Sequence, residues 1–153
     1  MQERVPALIF TVRKRTYGLL QDGEATLLPW LQRYATPGPV PGVPSWVLGL
    51  LNVQGSVQVI VDLGAFLGLG QSAREPETRL VFAERDSVTV GLLVDSAAGI
   101  RYLDPPAAVA AGHREPFVSR MAMLGGETVR VLDGKALIDA LAHALEAPLV
   151  GRI

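Results

Sequence analysis

The chain contains no cysteine. That excludes disulfides, thiolate metal sites and cysteine nucleophiles together. Histidine is almost as scarce: His113 and His143 are the only two. Neither sign of charge dominates, with 14 Lys and Arg against 15 Asp and Glu and a formal net charge of −1. No basic field therefore advertises nucleic acid. Aromatics are few, two Trp, three Tyr and four Phe. Phe10, Phe66 and Phe82 read as core, and Tyr17 with Tyr34 makes no stacking platform for single strands. No long apolar run exists either. Asn52, Gln54, Gln58 and Asp62 interrupt the best candidate, which falls short of the roughly 18 residues a membrane helix needs. The N-terminus, MQERVPALIF, lacks the apolar core and cleavage site of a signal peptide. The expectation is a cytoplasmic protein without direct membrane insertion.

What is present is apolar bulk. Of 153 residues, 49% are hydrophobic and 19% charged, which suits a folded chain. One domain over residues 1–153 is expected, burying roughly 70% of the surface of its unfolded chain.

The residues that carry chemistry do not form a catalytic pattern. His143 lies beside Ala142 and Ala144 and reads as a solvated helix residue. His113 sits in the loop AAGHREP with no Gly-x-Ser-x-Gly elbow and no second histidine at metal-ligand spacing. Asp62 and Asp95 each end an apolar strand, where Asp commonly caps a turn or helix. Gly68-Leu69-Gly70 lacks the third Gly of a nucleotide fingerprint. No catalytic residue, metal or cofactor is expected.

The most informative stretch is VPSWVLGLLNVQGSVQVIVDLGAFLGL, from Val43 to Leu69. Val47 to Val53 is apolar apart from Asn52. Gln54-Gly55 supplies a turn, since Gly accepts a positive φ. Val57 to Val61 is β-branched and suits a pleated strand. Asp62 stands where its carboxylate can cap a short helix. The spacing predicts a β-hairpin closed by a helical turn.

The chain also repeats itself. Leu8-Ile9-Phe10 is echoed by Leu80-Val81-Phe82, Gly18 by Gly91, Gly55 by Gly126 and Asp62 by Asp133, at separations of 71 to 73 residues. Self-similarity of this kind implies duplication, here of units at about 8–69 and 78–140. Two such small units would need to share a core. Strands separated by Gly and Pro predict an all-β barrel or sandwich. Thr78 to Glu84 and Val88 to Ser96 form one expected hairpin, turning near Arg85-Asp86. Phe117 to Leu124 and Thr128 to Leu132 form another, over Gly125-Gly126. Pro29 to Pro44, with prolines at 29, 37, 39, 41 and 44, is mostly loop or extended chain. Leu27 to Tyr34 is expected to form a short helical turn. Asp133 to Ala147 is the clearest helix. Leu137, Ile138, Leu141 and Leu145 form its apolar stripe, Asp133 caps it and Pro148 marks its end.

Val40, Pro41, Pro44, Val47, Gly49, Asn52, Gly55, Val57, Ile60, Asp62 and Leu63 stand at the steps of a known signature. The chain resembles the CheW-like domain family, the coupling proteins of bacterial chemosensory arrays. Val90-Gly91-Leu92-Leu93-Val94-Asp95 matches a second family run, and the likeness extends from about Ala7 to Leu145. It implies two intertwined five-stranded β-barrels with a C-terminal helix. It further implies a non-catalytic adaptor with two partners. One is the regulatory domain of a CheA-type histidine kinase. The other is the cytoplasmic tip of a chemoreceptor, with recruitment to membrane-associated receptor arrays. Mapped by motif, Gly49, Asn52, Gln54 and Gly55 lie by the receptor groove, and Trp46 is an apolar anchor or a core residue.

Two departures weaken the receptor expectation. Gln54 replaces the family's arginine, and the acid expected after the Tyr-Gly strand falls on Thr26, with Glu24 as a stand-in. Gln keeps hydrogen bonds but loses the guanidinium fork. The alternatives are a relative without receptor binding, serving pilus motility or another output, and a small barrel that binds a ligand or nucleic acid.

Overall fold

The computed structural model describes residues 3–21, 30–85, 88–110 and 112–150. It is built from two sheets. One runs in the order β8-β1-β2-β11-β10-β9. Its strands are β1 (Val5–Val12), β2 (Arg15–Leu20), β8 (Ser96–Leu103), β9 (Ala107–Ala108), β10 (Val118–Leu124) and β11 (Glu127–Leu132). The other runs β3-β6-β7-β5-β4. Its strands are β3 (Trp30–Arg33), β4 (Val47–Val53), β5 (Ser56–Asp62), β6 (Arg79–Arg85) and β7 (Val88–Val94). Two helices complete the fold, α1 (Leu63–Phe66) and α2 (Gly134–Val150).

Each sheet combines strands from both halves of the chain. Exchanging β1 with β6, β2 with β7, β3 with β8, β4 with β10 and β5 with β11 turns one order into the other, β9 aside. The halves are joined by the antiparallel β1–β8 and β3–β6 pairs and by two parallel pairs. Tyr17 and Gly18 lie beside Arg130 and Val131, and Val90 and Gly91 lie beside Val59 and Ile60. All other pairings are antiparallel.

The central strands are apolar on both faces because each face meets a different core. Ala7, Ile9, Leu20, Leu103, Val129 and Val131 fill the inside of the first sheet. Ile60, Leu80, Phe82 and Leu93 fill the second. The alternate residues, among them Leu8, Phe10, Leu19, Val61, Val81 and Leu92, meet between the sheets with Leu137, Ile138 and Leu141 of α2. Period-two alternation thus sends neighbours to different apolar clusters. The inner clusters are tight at their glycines. A Cβ on Gly91 would stand 2.5 Å from Ile60 Cδ1, and one on Gly18 3.2 Å from Val129 Cγ1.

Three expectations require correction. Neither sheet is a closed five-stranded barrel. Pro105-Pro106 breaks the chain between β8 and β9, because proline cannot donate to a ladder. Only the two residues of β9 extend the sheet beyond β10, and among the described residues no ladder joins β9 back to β8. In the other sheet, Pro37 and Pro39 leave a single bridge from Gly38 to Leu50 of β4. Second, the helical turn expected over Leu27 to Tyr34 is a strand where it is described. Trp30–Arg33 pairs with Phe82–Arg79 of β6, so tertiary pairing overrides local pattern. Third, α2 does not stop at Pro148 but continues to Val150. The N–H that Pro148 lacks is one ladder bond of the last turn, and the helix runs two residues past it.

Candidate functional site

The β4–β5 hairpin is held by its backbone. Val53 pairs with Ser56, leaving Gln54 and Gly55 as a two-residue turn. Their φ values are +52° and +86°, the left-handed pair that a type I′ turn needs. Asn52 supports the turn. Its Oδ1 accepts a hydrogen bond from the Gly55 N–H at 2.8 Å. Gln54 is exposed at the tip, and its side chain has no partner among the described residues. Val57 is 63% exposed and Leu50 36% exposed. Leu50 lies opposite Val59 and Asn52 opposite Val57, so the four share one face of the hairpin.

Gly49 is buried mid-strand beside a bulge. Its φ is +140°, and a Cβ there would lie 2.1 Å from the Gly38 carbonyl oxygen. That carbonyl accepts from Leu50 N–H at 2.9 Å, while Gly38 N–H donates to Leu50 O at 2.7 Å. Gly49 is therefore the residue that lets the proline-rich approach cross β4.

Trp46 stands at the other end of β4, roughly 25 Å from the turn by strand rise. It is half-buried against the shared core. Its ring meets Phe66 edge-to-face at 4.8 Å, and Phe66 stacks on Phe117 at 5.7 Å. Its carbonyl accepts from Asp62 N–H at 2.8 Å. Asp62 caps α1 through Oδ1, which accepts from Ala65 N–H, and ties down Ser72 N–H through Oδ2. Of the expected site residues, then, Asn52, Gln54 and Gly55 gather at the tip. Gly49 lies behind them and Trp46 lies apart. Glu24 and Thr26 fall outside the described residues.

The β10–β11 hairpin has the same frame. Phe117 carbonyl accepts from Asp133 N–H at 2.7 Å, and Asp133 Oδ1 accepts from Ala136 N–H to cap α2. At its root lies a charged cluster that local reading of the sequence missed. Arg130 Nε donates to both oxygens of Glu115, at 2.8 and 3.0 Å. Arg15 Nη1 reaches Glu115 Oε1 at 3.0 Å, and His113 Nε2 lies 3.2 Å from Oε2. Partial burial opposes the charge on Glu115, but Arg130, Arg15 and His113 outweigh it. They hold its carboxyl below the ordinary 4.5. Burial raises the Tyr17 phenol above its ordinary 10.0, with Arg15 pulling the other way. The cluster binds a loop to two strands.

Among the described residues, no group of His, Asp and Glu is placed to hold a metal. No described helix is long and apolar enough to cross a membrane.

This fold places the chain in a class of β-rich proteins built from two sheets that share a core. A family model described as CheW-like domain matches residues 6–142, so the chain belongs to the CheW-like domain family. It is 32% identical over 102 residues to "Chemotaxis protein CheW" of Rhizobium meliloti (strain 1021), covering 62% of this chain and 64% of that protein. It is 38% identical over 63 residues to "Protein PilI" of Pseudomonas aeruginosa, covering 41% and 35%. For "Chemotaxis protein CheW" of Bacillus subtilis (strain 168) the identity is 28% over 90 residues, covering 59% and 55%. The matched regions thus span less than two thirds of each relative. The solved structure of scaffolding protein TtCheW from Thermoanaerobacter tengcongensis superposes with a TM-score of 0.68 at 19% identity, covering 87% of this chain and 90% of that one. That likeness establishes the shared fold.

Proposed function

We propose that this chain is a non-catalytic coupling protein of a bacterial chemosensory pathway. It binds the regulatory domain of a CheA-type histidine kinase and the cytoplasmic tip of a chemoreceptor. It works in the cytoplasm at membrane-associated arrays. Residues 1–153 act as one CheW-like domain whose halves, about 8–69 and 78–140, are copies of one unit. The exchange that interconverts the two sheet orders supports the duplication. The observation that carries the function is the family match over residues 6–142, which includes the β4–β5 hairpin. Gly49, Asn52, Gln54 and Gly55 border the receptor groove, and Trp46 braces the root of the hairpin from the aromatic cluster.

The test is calorimetric titration of the full chain with the regulatory domain of the CheA-type kinase from the same organism. Micromolar or tighter binding, about −8 kcal/mol or better, is the expected outcome. No heat and no complex at high concentration would mean that the fold serves another partner. A second reading, a coupling protein that keeps the kinase and has given up the receptor, is favoured by Gln54 in place of arginine.

A further inference from the structure

Arg33 and Arg79 stand directly opposite each other on β3 and β6. Residues in that relation share one face of the sheet, about 5 Å apart at Cβ, and like charges so placed repel. β3 is an edge strand, so the pair lies at an open border of its sheet. The Arg33 side chain has no hydrogen-bond or ion-pair partner among the described residues. Arg79 Nη1 donates to the Pro76 and Thr78 carbonyl oxygens, at 2.8 and 2.9 Å, and not to a carboxylate. That anchors its guanidinium and leaves the Nε and Nη2 protons unspent. The two arginines line a cavity of about 400 Å³, whose other walls are Tyr34, Glu75, Pro76 and Thr78. Small-molecule sites run to roughly 300–1,000 Å³. The loop wall is fixed by the buried Thr78, whose hydroxyl accepts from Glu75 N–H at 2.9 Å and donates to the Ala73 carbonyl at 3.1 Å. A third cation stands behind Tyr34. Arg74 lies over its ring at 5.5 Å and donates through Nε to the phenol oxygen at 3.4 Å, which leaves the phenol proton free to donate. Glu75 on the wall and Glu77 beside it are exposed and form no ion pair with these arginines.

We propose that this cavity binds a small oxyanion, a phosphate or carboxylate group, between Arg33 and Arg79. The site goes beyond the adaptor reading and does not depend on it. Two guanidinium forks on one face offer parallel N–H donors to the oxygens of a single group, a geometry that suits phosphate and carboxylate. An anion between them turns a repulsion into two attractions. A cation is repelled by both arginines, and a neutral ligand leaves their repulsion in place. Arg79 is already held by two carbonyls, so little side-chain freedom is lost when the anion arrives. The Tyr34 hydroxyl adds a further donor. Glu75 opposes the anion, so it limits the affinity and provides a test of sign.

The experiment titrates the isotope-labelled full chain with sodium phosphate and, separately, with sodium succinate, at neutral pH and with ionic strength held constant by NaCl. The arginine Nε–H signals are followed by nuclear magnetic resonance. The expected result is saturation by at least one of the two anions with a midpoint below about 10 mM, carried by Arg33 and Arg79. Saturation by phosphate alone assigns a phosphate group, and saturation by succinate alone a carboxylate. Arg33→Gln removes a side chain that has no partner, so folding is not at stake, and it should weaken binding by about tenfold or more. Glu75→Gln should tighten it by about twofold or more, because a like charge is removed. Arg101→Gln, on β8 of the other sheet, should leave it unchanged. The oxyanion site is overturned if neither anion saturates, if all arginine signals move alike, or if Glu75→Gln weakens binding.

Discussion

The β4–β5 and β10–β11 hairpins perform the same backbone tasks with different side chains. Each has a bulge near its root, between Val47 and Gly49 in one and between Val118 and Arg120 in the other. Each root offers an aromatic residue's carbonyl to an aspartate N–H, and each aspartate caps a helix. Each turns through two positive-φ residues, Gln54-Gly55 and Gly125-Gly126. Beyond that they diverge. The second hairpin is clamped by charge, with Glu115 joining Arg15 and Arg130. The first carries no charge from Val47 to Val61 and is crossed closely by its approach chain at Gly49. The frame is what backbone hydrogen bonds require, so it is common to both. Side chains that the frame does not use are free to differ, and there a binding surface can specialise.

The sharpest break in the comparison is at Gly49. Alanine there must fit a Cβ 2.1 Å from a backbone oxygen at φ +140°. The chain after Pro37 would have to move, and the expected loss is about 3 kcal/mol by chemical denaturation. Gly55→Ala is the control. Its Cβ meets open space, so only the cost of a left-handed alanine applies, about 1 kcal/mol. Equal losses at the two positions would show that the crossing at Gly38 is not what demands glycine.

Next comes the clamp. Glu115→Gln keeps the shape and removes the charge that both arginines address. A loss of about 1–2 kcal/mol at neutral pH is expected, since charge-assisted bonds at a side chain only a quarter exposed are partly protected from solvent. The carboxyl is held below its ordinary 4.5 in the folded protein. A carboxylate with a depressed value contributes stability that is complete above the unfolded value and fades as pH falls through the folded one. The gap between wild type and Glu115→Gln should therefore shrink as pH falls below about 4.5. A gap that widens below that pH would sink this account.

The clamp also shows where the sequence stops being legible. Local signals located what local chemistry controls. The Gln54-Gly55 turn, the caps at Asp62 and Asp133 and the stripe of α2 were readable because each depends on residues within a few positions. The same holds for the tip of the candidate site. Arg15 and Glu115 are 100 residues apart, and nothing near either one announces the other. Trp30–Arg33 takes its strand character from β6, some fifty residues on, while its own residues suit a turn equally well. Strand count alone does not reveal that Pro105-Pro106 and Pro37 interrupt the segments that would close each barrel. The echo at 71 residues reaches beyond the repeated glycines and aspartates. It sets Trp46 against Phe117, and so both ends of the aromatic cluster.

That pair provides the smallest and most selective test. Phe117 has φ +63°, a conformation that bulky residues rarely adopt, whereas Trp46 is not among the positive-φ residues. Removing either ring costs packing against Phe66, so the informative comparison is alanine against glycine at each site. At Trp46 glycine only adds unfolded-state entropy, so Trp46→Gly should be less stable than Trp46→Ala by about 0.5–1 kcal/mol. At Phe117 the left-handed backbone suits glycine and strains alanine. There the order should reverse, with Phe117→Gly more stable than Phe117→Ala by a similar amount, about 0.5–1 kcal/mol. Thermal or denaturant melts of the four variants decide it. If alanine is the better residue at both positions, the left-handed backbone costs nothing measurable at Phe117, and the two hairpin roots are more alike than their φ angles indicate.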